Sequence, residues 1–99
     1  MTVTKSLSLA NVIHIHGNET VDLGSVAANT SEEEEITITG VGANDLVIAV
    51  IPPSLEAGIT LGPCRVSAAN TLQLQVINST GSAVDHSSEA GWKFVTITV

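Results

Sequence analysis

Three histidines, one cysteine and a run of four glutamates are the side chains of this 99-residue chain whose type and spacing could do chemistry. His14 and His16 fall at i and i+2, so on a strand their rings project from one face and could share a metal, with His86 joining from a loop. Two such ligands are too few without a third of known position, and strand-surface histidines are the commoner case. A trimer that set three copies on its axis is the route by which the set could be completed. Glu32-Glu-Glu-Glu35 offers carboxylates to a calcium ion but lacks the spaced Asp/Asn ligands and the glycine of a calcium loop. A solvated, self-repelling turn that keeps a neutral surface from sticking is the expectation there. Cys64 precedes Arg65, whose charge could lower the thiol pKa. No nucleophile elbow, phosphate loop or identifiable carboxylate pair accompanies it. The expectation is therefore a non-enzyme without cofactor or metal, with Cys64 a small, buried, inert hydrophobe.

Composition narrows the class further. Hydrophobic residues make up 43% of the chain, aromatics 2% and charged residues only 13%. Much of the surface must then be Thr, Ser, Asn and Ala, which suits contact between subunits better than a solitary existence. The net charge of −7, with Lys5, Arg65 and Lys93 the only strong cations, excludes nucleic acid, which needs several phosphates neutralised. The same sign disfavours anionic membrane surfaces. The amino terminus lacks the pattern of a signal peptide, no run reaches the length of a membrane span, and a single cysteine fits synthesis in a reducing cytosol.

Period-two alternation dominates the elements that must position these groups. Val3, Leu7, Leu9, Ile13 and Ile15 share one parity with Thr and Ser opposite, as one long strand or two broken near Asn11, ended by Gly17-Asn18. Val21 and Leu23, Ile36 and Ile38, and Leu72, Leu74 and Val76 mark further half-buried strands. Leu46 to Ile51 is apolar on both parities and stopped by Pro52-Pro53, which predicts a central strand covered on both faces. Short strands are expected around Ile59 to Leu61 and Cys64 to Ala68, joined by a turn at Gly62-Pro63. In the last strand Trp92 and Phe94 take one parity while Val95, Ile97 and Val99 take the other, so both its faces want cover, one of them from a neighbouring subunit. Trp92 and Phe94 are the expected core anchor, with Leu46, Ile48, Val50, Leu72 and Leu74 near them. Ala27-Ala-Asn-Thr30 recurs as Ala68-Ala-Asn-Thr71; Asn accepting a left-handed turn before a strand-opening Thr explains the echo without a duplication. The same turn chemistry accounts for Asn18-Glu-Thr20, Asn29-Thr-Ser31 and Asn78-Ser-Thr80, which match a glycosylation acceptor. Together these point to an all-β chain, an antiparallel β-sandwich of jelly-roll-like type with about eight strands. Residues 1–17 form an N-terminal strand or anchoring arm, and 18–99 the sandwich domain.

Several stretches carry a resemblance. Val21-Asp-Leu-Gly-Ser-Val-Ala-Ala-Asn-Thr30, the acidic turn with Ile36-Thr-Ile-Thr-Gly40, Asp45-Leu-Val-Ile, Leu55-Glu-Ala-Gly58, Val66-Ser-Ala-Ala-Asn-Thr71 and Val76-Ile-Asn-Ser-Thr-Gly-Ser-Ala-Val-Asp85 resemble a group of small tailed-bacteriophage virion proteins, in similar order. The likeness covers roughly the last four-fifths of the chain and rests on short motifs; Ala43-Asn44-Asp45 stands where Gly-Asp is expected. What it implies is a β-sandwich, often trimeric, bound to the major capsid protein on the outside of a phage head as a decoration or cement protein. Made in the host cytoplasm, it would end in the virion. The alternative is a tail-spike or fibre-associated module that binds a host glycan. The expected capsid or subunit contact is the apolar stripe Val3, Leu7, Leu9, Ile13 and Ile15, with Lys5 offering a cation to an acidic neighbour.

Overall fold

A computed structural model of the chain describes residues 12–98, and eight strands carry its fold. They are β1 (Ile13–Val21), β2 (Gly24–Val26), β3 (Thr30–Thr37), β4 (Leu46–Ile51), β5 (Ile59–Ala68), β6 (Thr71–Asn78), β7 (Val84–His86) and β8 (Glu89–Ile97). Every pairing is antiparallel. Two three-stranded sheets, β1-β8-β4 and β3-β6-β5, are joined by a two-stranded ribbon, β2-β7. The pairs β1·β8, β2·β7 and β3·β6 nest one inside the next, as in a long hairpin rolled up, and this is the relation to a jelly roll.

The core lies between the two larger sheets and follows from alternation. Along β6, Leu72, Leu74, Val76 and Asn78 are buried while the residues between them are half-exposed. Facing them, β8 buries Trp92, Phe94 and Thr96. The Trp92 and Phe94 rings stack at 6.1 Å and 15°. Leu23, Val26, Ile36, Ile38 and Val41 complete the cluster from the other side, and Val50 packs against it partly buried.

Asn29 and Asn70 both have positive φ, and β3 and β6 begin at the next residue, Thr30 and Thr71. The repeated motif is thus the same turn used twice. Asn18, also at positive φ, sits in an irregularity between His16 and Glu19 that bends β1 without ending it. Gly17 therefore lies inside a strand, and Ile13 to His16 belong to the sandwich.

Three expectations need correction. β4 is not central: it is the edge of its sheet, with Leu46, Ile48 and Ile51 about half exposed, so Leu46 and Ile48 are not packed around Trp92. The central strand is β8, because its two hydrogen-bonding sides are taken by β1 and β4. β5 is one strand with a bulge between Leu61 and Cys64 rather than two strands around a turn, since Gly62 and Pro63 are absorbed where the ladder is already interrupted. Finally, Glu32 to Glu35 form no turn. They lie within β3 and pair residue for residue with Val76 to Gln73. Glu33 and Glu35 stay in water, while Glu32 and Glu34 share the inward parity of buried Ile36 at the sheet edge. Inward carboxylates on an edge strand discourage another chain from adding to it.

Candidate functional site

The feature that stands out is the outer face of the β1-β8-β4 sheet. In β8 the buried parity is Trp92, Phe94 and Thr96, so Lys93, Val95 and Ile97 point outward. Their partners across β1 are Ile15 opposite Val95 and Ile13 opposite Ile97. Across β4 they are Ile51 opposite Lys93, Ala49 opposite Val95 and Leu46 opposite Ile97. A register shift between Val47 and Ala49 leaves Ile48 as the extra residue, also exposed. The face is thus aliphatic across all three strands. Ile15 is 73% exposed, Leu46 56%, Ile48 53% and Ile51 50%. At ~4.8 Å between strands and ~3.3 Å per residue it measures roughly 15 Å by 20 Å. Each large aliphatic side chain left in water forgoes about 1.5–3 kcal/mol of burial free energy.

The inner parity of β1 is polar, which is the reverse of a lone sandwich. His14 and His16 stand opposite Thr96 and Phe94. The His16 Nε2 lies 3.1 Å from the Thr96 hydroxyl, and the His14 Nε2 2.9 Å from the Thr98 hydroxyl. Thr96 is fully buried, and a buried hydroxyl needs a partner. Supplying it from His16 fixes the parity of β1, and a one-residue slip would send Ile13 and Ile15 inward and strand that hydroxyl. Of the expected contact residues, Ile13 and Ile15 therefore lie on an exposed face; Val3, Lys5, Leu7 and Leu9 lie outside the described residues.

The other chemical candidates do not come together. His14 and His16 project from one side with ring centroids 6.4 Å apart, but His86 is buried elsewhere, edge-on to Trp92 at 6.0 Å. The His86 Nδ1 is 3.1 Å from the Ser87 carbonyl and its Nε2 3.1 Å from the Ser54 carbonyl, so the ring ties the Ser54 turn to β7. The Ser54 hydroxyl donates to Glu89 Oε2 at 2.6 Å in the same cluster. Among the described residues no three His, Cys, Asp or Glu side chains meet in an arrangement that could hold a metal ion. The Glu34 carboxyl is held above its ordinary range by desolvation, by the charges of its neighbours Glu32 and Asp22, and by a hydrogen bond that its protonated form donates to Glu32.

Cys64 is half-buried, not fully enclosed. It lines two shallow grooves of about 250 and 460 Å³ where the free edges of β4 and β5 approach each other, beside Val47. Burial pushes its thiol up to about 11. Arg65 points to Gln73, which accepts a hydrogen bond from its guanidinium. The site thus reverses the activation expected from Arg65: the guanidinium is engaged by Gln73 and burial raises the thiol.

Sequence reasoning read Ile13 and Ile15 as contact residues and gave one face of the last strand to a neighbouring subunit, but it assigned Leu46, Ile48 and Ile51 inward. The available signal was β8, whose two apolar parities cannot both face one core. In comparisons with known proteins, no protein family, no curated protein and no solved structure matches the chain.

Proposed function

We propose that the protein is a structural subunit of a virus particle: a decoration or cement protein that binds the outer surface of a tailed-phage head as a trimer and stabilises the shell. The observation that carries its assembly role is the aliphatic outer face of β1-β8-β4, which gathers Ile13, Ile15, Leu46, Ile48 and Ile51, the exposed large hydrophobic residues among the described ones. The placement on a phage head rests on the resemblance of its sequence motifs. A shell under internal DNA pressure is stabilised when an added subunit binds across the seam between shell proteins, because opening the seam must also break those contacts. Weak contacts held in one trimer act together through effective concentration. The reading includes no catalytic step, no nucleic-acid contact and no membrane contact, and its partner is the major capsid protein. A glycan-binding tip would usually present aromatic platforms to sugar faces. The only two aromatics, Trp92 and Phe94, are fully buried.

Tailed-phage heads prepared without this chain supply the test. Added protein should co-sediment with them, appear in many copies over the head in particle reconstructions, and raise the temperature at which heads release DNA. Failure to bind heads would overturn the proposal, and a few copies at the tail would replace it with the recognition-module reading.

A further inference from the structure

We infer that three copies of this chain associate through the outer face of the β1-β8-β4 sheet, the β1 margin of one copy packing against the β4 margin of the next around an axis over β8. The inference rests on the trimer reading above and names the surface that makes it.

Charge marks this face as the one that a second copy can approach. Chains of net charge −7 repel one another, so copies can meet closely only where carboxylates are absent. Between the Ile13–Ile97 end of the face and the Lys93–Ile51 end, Lys93 is the only charged outward residue. It stands at one end of the face, where its stem can lie along Ile51 while its ammonium reaches water.

The two margins also suit each other. β1 brings Ile13 and Ile15 to one side of β8, and β4 brings Leu46, Ile48 and Ile51 to the other, with Ala49 opposite Val95 leaving room between them. Three sheets turned inward about one axis pair each β1 margin with a neighbour's β4 margin, a head-to-tail contact that closes. The patch is roughly 300 Å² in projection, so any single pairwise contact over it is small, and in a closed ring no copy leaves without breaking its contacts to both neighbours.

The full chain is tested by analytical ultracentrifugation at micromolar concentration, beside Ile15→Asp and Ile48→Asp. Wild-type protein should sediment at three times the 10.2 kDa chain mass, and each variant as a monomer with unchanged circular dichroism. A cysteine pair, Ile15→Cys with Ile48→Cys in a Cys64→Ser background, gives an independent readout. Within one chain β1 and β4 lie about 10 Å apart on either side of β8, beyond the ~7 Å reach of a disulfide. Oxidation should therefore yield covalent trimers, and neither single cysteine should. A trimeric wild type whose aspartate variants stay trimeric and whose cysteine pair does not cross-link overturns the inference but leaves the trimer reading intact. A monomeric or dimeric wild type overturns both.

Discussion

The Asn78 side-chain Nδ2 donates to the Val26 carbonyl at 2.9 Å, fastening the end of β6 to β2. The same nitrogen donates to the Ser82 carbonyl at 2.9 Å, and Oδ1 accepts from the Thr80 amide at 2.9 Å and its hydroxyl at 2.7 Å. Both donors and both acceptor positions of the amide are used, inside the core. The Asn78-Ser-Thr80 triplet is therefore a structural lock on the loop before β7. Asn78→Ala removes these buried side-chain bonds together and should cost about 2–3 kcal/mol. Asn78→Asp sets a carboxylate against two carbonyl oxygens and should cost more than the alanine. Urea unfolding measures both. A loss below roughly 0.5 kcal/mol for each, the range of ordinary surface changes, would contradict the assignment.

Trp92 is the largest fully buried side chain, wedged between Phe94 and His86. Trp92→Ala should cost about 3–5 kcal/mol, a large part of the stability of a domain this size. Its indole Nε1 makes no hydrogen bond among the described residues. Trp92→Phe removes that unpaired donor and keeps most of the ring contact, so its loss should be less than half that of alanine. Chemical denaturation ranks the two; equal losses would show that packing area does not govern this site.

Legibility in the sequence varied with what decides each element. The Asn29 and Asn70 turns, the buried side of β6 and the inward Trp92 and Phe94 depend on local chemistry and alternation, and all are readable from residue types. Ile13 and Ile15 read as part of an apolar contact stripe, but alternation gives parity without its sign. The sign is set across the sheet by the buried Thr96 hydroxyl, 80 positions away in the chain from His16. Leu46 to Ile51 read as central for a related reason: apolar residues on both parities mean that both faces need cover, not that this chain supplies it. The glutamate run was misread because its charge suggested a turn, whereas its edge position lets water solvate Glu33 and Glu35 while the ladder to β6 holds the backbone.

Cys64 gives a pH dependence with a definite sign. Burial raises its thiol to about 11 from an ordinary 9.0. Below pH 9 both folded and unfolded chains keep the proton, and this group's contribution is fully present. As pH rises toward 11 the unfolded chain releases the proton while the folded chain retains it, so stability falls. The difference in unfolding free energy between wild type and Cys64→Ala should therefore shift against the wild type from pH 8 to pH 10.5. At pH 8, alkylation of the native thiol should be on the order of 100-fold slower than that of the unfolded chain, following the thiolate fraction. Equal alkylation rates in the two states would refute the raised thiol.

The apolar stripe expected at the amino terminus divides at β1. Ile13 and Ile15 are held in the sheet, and the Val12 carbonyl accepts from the Thr98 amide at 2.8 Å, extending the contact between β1 and β8 by a further rung. If residues 1–10 form an anchoring arm, deleting them should leave the cooperative melt of the sandwich within about 0.5 kcal/mol of the full chain. The outer face from Ile13 to Ile97 is also intact in that truncation, and the trimer should persist. Val3, Leu7 and Leu9 alternate with Thr and Ser, the pattern of a segment that can add to an exposed sheet edge of a partner, where backbone bonds give affinity and alternate side chains give register. Lys5 adds a cation for an acidic neighbour. The truncated protein should thus be folded and trimeric yet unable to bind phage heads in co-sedimentation. Retained head binding would move the shell contact onto the sandwich itself, and an unfolded product would place residues 1–10 in the core.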